Sequence, residues 1–447
     1  MKILNQTTGT GALVKKFFRF IIPSILSMLT FSIYTMVDGI FVARGVGEKA
    51  LAAVNLSSPY NSAMFAFGML IAVGMATVIG MELGRGRQER ASELFTQNLL
   101  VSALAAFVIT AVTLLNLRSI AEFLGATEDT LDHVMEYVGT VSPFAVFFIC
   151  AYNMEILIKT DGTPVISLIG VGMAGLTNVV LDWFFVMILG WGVRGAAFAT
   201  GLAQITSVVL YLVYFTRFSR VLCFRRFRWD KAIYKKTIPL GVGDGITEFS
   251  NGIVIFLFNR AILKLLGEDG VVSYTVIGYV NTLVLMMMSG TAQGMQPICS
   301  FHHGRGEWEN CRLLRNLGLL TGALFGIAGW TACALGGGMI VSLFLEKNSP
   351  LFGATVAALQ SYSWAFLVMG INVVAGAFFT SVCRVSMAFP ISLGRGLVLP
   401  VLSVAFVFLT GQGSLIWYAG FMAEGLCLVM TLCFLRMSRK STLEISV

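Results

Sequence analysis

The chain has 447 residues, of which 57% are hydrophobic and only 12% are Asp, Glu, Lys or Arg. Soluble domains carry roughly 25% charged residues, so this composition excludes an ordinary soluble protein. The net charge of +8 does not indicate nucleic-acid binding, because the basic residues fall between hydrophobic runs, as in membrane proteins of fixed orientation. We therefore expect a lipid bilayer as the surroundings and no nucleic-acid partner.

Hydrophobic runs follow one another along the whole chain. They are continuous rather than short and alternating, which favours membrane-spanning helices over a β-barrel. We predict an all-α polytopic membrane protein with twelve spans, at about 17–42, 55–81, 94–116, 135–158, 165–189, 194–216, 238–265, 271–298, 313–335, 358–381, 388–410 and 414–435. Each is near or above the ~20 residues that a crossing helix needs. The first run has full span length and no obvious cleavage site, so we expect a retained helix, not a signal peptide.

Lys and Arg predict the orientation. With a cytoplasmic N-terminus, most of the 31 Lys and Arg residues fall on the cytoplasmic side of the predicted spans. This asymmetry is the usual one for helical membrane proteins. We expect both termini in the cytoplasm and the chain in the cell (inner) membrane.

Two carboxyl groups fall inside predicted spans of the first half. Asp38 lies in the first span, and Asp182 lies in the fifth, four residues after Asn178. That spacing puts the Asn178 amide and the Asp182 carboxyl one turn apart on one helical face. A carboxylate at such depth is costly and by default marks an ion, proton or substrate path, although a neighbouring helix can also neutralise it for packing. The presence of a second acid favours the functional interpretation.

A sequence repeat divides the chain into two halves. Gly84-Arg-Gly-Arg-Gln-Glu-Arg90 recurs 220 residues later as Gly304-Arg-Gly-Glu-Trp-Glu-Asn310, and Gly74-Met75 recurs as Gly294-Met295. The Gly-Arg-Gly motifs predict tight turns. Six spans return the chain to its starting side, so both halves enter the membrane in the same sense, related by a pseudo-twofold axis along the membrane normal.

The predicted domains are an N-terminal lobe at 1–216, a basic cytoplasmic linker at 217–237 and a C-terminal lobe at 238–447. The linker is the natural connection between the halves, and it could also form a surface for anionic lipids. The two roles are compatible.

The second half also carries acids in or near spans. Glu248 lies in the seventh span and Glu424 in the twelfth. Glu248 could neutralise a cationic drug in a cavity, or pair with a basic group of the same half. Asp244, one turn before Glu248, is expected to be solvated.

Several motifs together resemble those of the multidrug and toxic compound extrusion (MATE) family, in its bacterial multidrug-export branch. They are Pro23-Ser-Ile-Leu-Ser27, Tyr34-Thr-Met-Val-Asp38 with the loop that follows to Asn55, Glu82-Leu-Gly-Arg-Gly-Arg87, Gly290-Thr-Ala-Gln-Gly-Met-Gln-Pro297 and Gly304-Arg-Gly306. The resemblance implies a V-shaped pair of six-helix lobes around a central cavity. It implies a monomer that exports cationic or amphipathic organic compounds in exchange for H⁺ or Na⁺, with no other cofactor.

The resemblance also implies a cation site in the first lobe. The family's acid in the first helix, Asn-x-x-x-Asp pair in the fifth and Thr in the sixth fall on Asp38, Asn178, Asp182 and Thr200. Tyr34 and Asn153 match positions that line the same site. If the ion is Na⁺, the same four residues and backbone carbonyls are its expected ligands, whereas buried carboxyl groups alone suffice to exchange a proton.

The second-lobe acids of some family members are matched less closely. Glu248 lies near one expected position, while the tenth span, around Asn372, has no acid. We assign Glu248, Asn372 and Glu424 to a substrate cavity, and the sequence leaves open whether the second lobe has a cation site of its own.

Two other functions were weighed against this one. A lipid-linked saccharide flippase of the wider superfamily would line its cavity with basic residues for a pyrophosphate, whereas the predicted spans here carry acids and almost no deep Lys or Arg. A membrane-embedded enzyme would need a catalytic constellation inside the spans, such as paired His and carboxylates, and the sequence shows none.

Overall fold

The computed structural model describes residues 9–46 and 48–443. Within those ranges the chain is helical with short turns and contains no strand. Eleven helices there are long and apolar enough to cross a membrane, and one of them, Tyr234–Gly304, is 71 residues long and turns at Gly267. The predicted all-α fold with twelve spans in two six-helix lobes is confirmed. Both chain ends, whose cytoplasmic location is predicted, lie outside the described residues.

The first six helices form the N-terminal lobe. They are α1 (Thr10–Gly45), α2 (Glu48–Gly84), α3 (Gln88–Leu115), α4 (Leu131–Asp161), α5 (Pro164–Ile188) and α6 (Gly192–Phe218), with a short helix at Leu117–Phe123 before α4. The C-terminal lobe contains α7, which begins at Tyr234, and α8, which ends at Gly304. It continues with α9 (Trp308–Val341), α10 (Phe352–Ser381), α11 (Val385–Thr410) and α12 (Gly413–Ser438).

The repeat seen in the sequence returns as matching local structure. Gly86 has a φ of 77° and Gly306 a φ of 76°, so both predicted tight turns need the left-handed backbone that glycine adopts readily. The N–H of the next residue bonds back to the helix in each case, from Arg87 to the Glu82 carbonyl and from Glu307 to the His302 carbonyl. These are the hydrogen bonds that close a Schellman motif.

The lobes meet along α2 of one and α7 and α8 of the other, and α1 also packs on α8. The contact brings backbones together at glycines. A Cβ at Gly74 would lie 1.9 Å from the Thr237 carbonyl oxygen, and one at its repeat mate Gly294 would lie 2.7 Å from the Ile21 Cα. Only glycine fits at such distances, so the helix backbones of the two lobes are in direct contact at these positions.

The segment between the lobes is not helical. α6 ends at Phe218 and α7 begins at Tyr234, close to the predicted limits of the linker. The domain boundaries at residues 216 and 238 stay a prediction.

Candidate functional site

The N-terminal lobe brings two carboxyl groups together. α1 carries Asp38 and α5 carries Asp182, and the two side chains lie within hydrogen-bonding reach of each other. Asp182 is fully buried. Neither of its carboxylate oxygens, nor Oδ1 of Asp38, has a hydrogen-bond donor among the described residues. Two carboxylates this close cannot both stay ionised cheaply, so the pair will take up a proton or another cation.

Local helix geometry places this pair. Directly after Asp182 the backbone of α5 changes to a π-helical turn at Trp183–Ile188. Such turns widen the helix by one residue and are frequent at functional sites. Close packing of α1 on α5 also depends on Gly175, where a Cβ would lie 2.9 Å from the Tyr34 ring.

Asn178 and Thr200 complete a set of oxygen atoms beside the acids. Asn178 is buried and donates from Nδ2 to the Thr200 hydroxyl at 3.4 Å, while its Oδ1 has no partner in the described chain. The Thr200 hydroxyl donates to the Ala196 carbonyl at 3.0 Å. With three unpartnered oxygens of Asp38 and Asp182, this donor set suits a proton or a hard cation such as Na⁺.

Two tyrosines border the pair. Tyr34 lies near Asp38 and within hydrogen-bonding reach of Gln204. Tyr137 lies near both carboxyl groups, and its hydroxyl accepts a hydrogen bond of 3.1 Å from Asn61 Nδ2. Tyr137 and Asn61 were not predicted as site residues. For Asn61 the repeat held a signal, since Asn281 stands at the matching position, whereas nothing in the sequence distinguishes Tyr137.

The hydrogen bonds of Asn153 in the described chain are with α3 and not with the acids. Its Nδ2 donates to the Ser102 hydroxyl at 2.7 Å, and its Oδ1 accepts from Asn98 at 3.1 Å, so both ends of the amide join α4 to α3. Polar bonds of this kind hold membrane helices together.

Asn372 and Glu424 form a closed polar cluster in the C-terminal lobe. Asn372 donates to the Glu424 carboxylate at 2.8 Å and accepts from the Thr431 hydroxyl at 2.9 Å. Arg395 of α11 makes an ion pair of 2.8 Å with Glu424. A neighbouring helix thus neutralises the carboxylate and occupies its oxygens.

Glu248 lies in a different place, at the interface between the lobes. Together with Asp244 of α7 and Glu155 of α4 it lies close enough to Tyr152 to interact electrostatically. The expectation that Asp244 is solvated is wrong, because its Oδ2 is buried without a hydrogen-bond partner in the described chain. The helix that carries Asp244, α7, packs against the N-terminal lobe. This packing buries a face of α7 that the sequence alone does not show to be buried.

One basic side chain is buried at this interface. Lys159 of α4 pairs with Glu155 at 2.8 Å and donates to Gln293 of α8, in the other lobe, at 2.9 Å. Its exposed fraction is 1%. The expectation of almost no deep Lys or Arg therefore fails for Lys159 and for Arg395. Both side chains lie near span ends in the sequence but extend into the protein.

Comparisons with known proteins identify a family model and relatives that are similar to this chain. The family model described as MatE matches residues 23–184. The chain is 22% identical over 425 residues to the multidrug export protein MepA of Staphylococcus aureus strain MSSA476, covering 92% of this chain and 91% of that protein. It is 22% identical over 343 residues to MepA of Staphylococcus haemolyticus, covering 75% and 74%.

A solved structure titled as the outward-facing conformation of a multidrug resistance MATE family transporter matches the fold. Its TM-score is 0.90, with 21% identity, and the match covers 99% of this chain and 98% of that one. At this identity the likeness shows the fold alone. The range that the family model matches includes Asp38 of α1 and Asp182 of α5, and over that range the chain is similar to the MatE family.

Proposed function

We propose that the protein is a secondary active multidrug efflux antiporter, which exports cationic or amphipathic organic compounds in exchange for H⁺ or Na⁺. The observation that carries this proposal is the pair of facing carboxyl groups, in which the half-buried Asp38 and the fully buried Asp182 together have three oxygens without a hydrogen-bond donor in the described chain. The name of the MepA relatives supports multidrug export as the activity.

The pair gives a physical basis for exchange. When empty, the two carboxylates repel each other across a medium of low dielectric constant, which favours separation of α1 from α5. A bound proton or Na⁺ removes the repulsion and draws the two helices together. The cation stabilises the arrangement in which α1 lies close to α5. It can drive transport only if the substrate stabilises the arrangement in which these helices are apart, which is the condition for antiport.

The acids between the lobes support an organic cation as the substrate. Glu248 and Asp244 come from α7 and face Tyr152 of the other lobe, so a cation there would meet carboxylates and an aromatic ring. Both features disfavour the flippase alternative, since a pyrophosphate would be repelled by these groups.

The test is ethidium efflux from membrane vesicles energised separately with a pH gradient and a sodium gradient. Wild-type protein is expected to respond to one of the two gradients, which identifies the coupling ion. Asp182→Asn is expected to lose at least about tenfold of that response, whereas Asp132→Asn, which neutralises an exposed carboxyl group outside the pair, keeps it. If Asp182→Asn exports ethidium as well as wild type does, the coupling role of the acid pair is wrong.

We further propose the arrangement expected from the sequence, with lobes at 1–216 and 238–447, a cytoplasmic linker at 217–237 and both termini in the cytoplasm. The protein then works as a monomer in the cell membrane, with no cofactor apart from the coupling ion. Tyr34 borders the cation site, while Glu248, Asn372 and Glu424 belong to the lobe that encloses the substrate cavity.

A further inference from the structure

The linker between the lobes is held tightly on α3. Gln88 donates to the carbonyls of Arg220 and Val221, at 2.9 Å each. Gln97 bonds to both the N–H and the carbonyl of Asp230, at 3.1 and 2.9 Å. The backbone therefore has one defined path, and the side chains that point away from α3 form a fixed surface.

The one acidic side chain of residues 217–237 is already engaged. Asp230 forms an ion pair with Arg90 of α3 and accepts the N–H of Ile233 at 3.1 Å. Among the basic residues, Arg225 pairs with Glu89 at 2.7 Å. The exposed basic side chains without an ion pair to the described residues are Arg217, Arg220, Arg226, Arg228, Lys231, Lys235 and Lys236.

The other turns at this end of the molecule are neutralised locally. Arg85 pairs with Glu82 at 2.6 Å, and Arg305 pairs with Glu307 at 2.8 Å. The linker, with seven such side chains, therefore carries more exposed positive charge without an ion pair than either of these turns.

Aromatic rings lie exposed among these charges. Phe218 is 69% exposed, Phe224 41% and Trp229 55%. Exposed aromatic rings next to basic side chains are typical of the interface between a membrane and water, where the ring contacts acyl chains and the charge contacts headgroups. The linker continues α6 at one end and α7 at the other, so both of its ends lie at the depth where spans leave the bilayer.

We propose that the seven basic residues, with Phe218, Phe224 and Trp229, form a surface that binds the headgroups of anionic phospholipids in the leaflet at this end of the protein. We call it the linker surface. The basic groups attract the phosphate, and the rings anchor the segment at headgroup level. The surface binds lipid whether or not the chain exports drugs, so failure of the proposed function would not remove it.

Trp229 provides a direct probe of lipid contact. The full-length protein is reconstituted in vesicles with 30 mol% brominated phosphatidylglycerol and 70 mol% phosphatidylcholine, or with the bromine carried by phosphatidylcholine at the same fraction. The signal of Trp229 is the difference between wild type and Trp229→Phe. We expect quenching at least about threefold stronger by phosphatidylglycerol, and a loss of this preference as salt is raised, since screening weakens exposed charges.

Two triple variants complete the test. Arg220→Gln, Arg226→Gln and Arg228→Gln together are expected to abolish the preference for phosphatidylglycerol. The matched control, Arg118→Gln, Arg194→Gln and Lys347→Gln, removes the same charge from exposed positions outside the linker and is expected to keep it. Equal quenching by the two lipids in wild type, or equal loss in both variants, would overturn the proposal. A linker surface that instead binds inorganic polyphosphate in solution and shows no quenching by lipid would also overturn it.

Discussion

Both lobes contain a buried acid, but the two acids differ in their hydrogen-bond and ion-pair partners. In the N-terminal lobe three oxygens of Asp38 and Asp182 have no donor in the described chain, while in the C-terminal lobe Glu424 is paired with Arg395 and accepts a hydrogen bond from Asn372. The repeat position of Asp38 in the C-terminal lobe is Phe258, which is buried and stacks on Tyr274 with ring centroids 5.5 Å apart. At this repeat position one six-helix unit therefore carries a carboxyl group and the other an aromatic ring packed in the core.

This difference separates a functional acid from a structural one. Removing a buried carboxylate from its pair with an arginine destabilises the protein, because the arginine is left without a counter-charge. A buried carboxylate without a partner lowers the stability of the protein, so its presence indicates a functional role. Loss of the Glu424 carboxylate should thus lower stability, whereas loss of the Asp182 carboxylate should lower transport without lowering stability.

The largest expected effect is on the C-terminal lobe. Glu424→Gln leaves Arg395 buried without its counter-charge and is expected to lower the free energy of unfolding by about 3–5 kcal/mol. Asp182→Asn removes a repulsion and is expected to leave this free energy unchanged or to raise it. Thermal unfolding of both variants in detergent, followed by ethidium transport, measures the two effects. Greater destabilisation by Asp182→Asn would break the comparison between the lobes.

A double variant sharpens this result. Arg395→Met combined with Glu424→Gln removes both charges and is expected to recover part of the stability lost in Glu424→Gln, since an apolar replacement of a buried pair is often tolerated. No such rescue exists for the N-terminal pair, which has no basic partner in the described chain.

The next expected effect lies where the lobes are alike. Gly74→Ala would place a methyl group on the Thr237 carbonyl, 1.9 Å from its oxygen, so the helices must separate. We expect the free energy of unfolding to fall by at least about 3 kcal/mol, at or above the top of the usual range for overpacking. The reason is that backbone atoms cannot move aside as a side chain can. Gly252→Ala in α7 is the matched control, since nothing lies within 4 Å of its added Cβ. Equal unfolding temperatures for the two variants would contradict the role of Gly74.

Sequence alone predicted the spans, the repeat and the presence of two acids inside spans, because each depends on local features, whereas the expectation that Asp38 and Asp182 share one site came from the family resemblance. Hydrophobic length gives a span, and the Asn178–Asp182 spacing gives one helical face. It did not predict the burial of Lys159 and Arg395 or the partner of Glu424, since these depend on which helix lies opposite. Asn153 shows the same limit, because its motif position suggested the cation site and its contacts are with α3.

A smaller effect is expected at the hydrogen bond from Lys159 to Gln293, which crosses between the lobes. Gln293→Leu keeps the side chain's approximate volume and the Lys159–Glu155 pair but removes the acceptor that joins Lys159 to α8. Hydrogen bonds to charged groups contribute about 1.5–3 kcal/mol, so the lobe contact should open roughly tenfold more often. Hydrogen–deuterium exchange of residues 80–84 and 300–304 measures this opening.

The control lies one turn along the same helix face. Gln296 faces the same interlobe gap as Gln293 and has no hydrogen bond to a described side chain. Gln296→Leu is expected to leave exchange unchanged. If both variants accelerate exchange equally, loss of polarity rather than loss of the Lys159 bond is responsible.

The smallest expected effect compares the turns that follow α4 and α10. Gly162 has a φ of 103°, whereas Cys383, at the corresponding turn, has a φ of 56° and is the one non-glycine residue with positive φ among those described. Gly162→Ala is expected to destabilise the fold by about 1–3 kcal/mol, because a Cβ strains this backbone. Cys383→Gly relieves a strain of about 1–2 kcal/mol but adds backbone freedom to the unfolded chain and removes the thiol contact of 3.6 Å with the Met81 sulfur. We therefore expect a net change below about 1 kcal/mol by thermal unfolding. A large loss in Cys383→Gly would mean that the contact of the thiol with Met81 of α2 outweighs the strain of the turn, so that the two lobes differ here as they do at their acids.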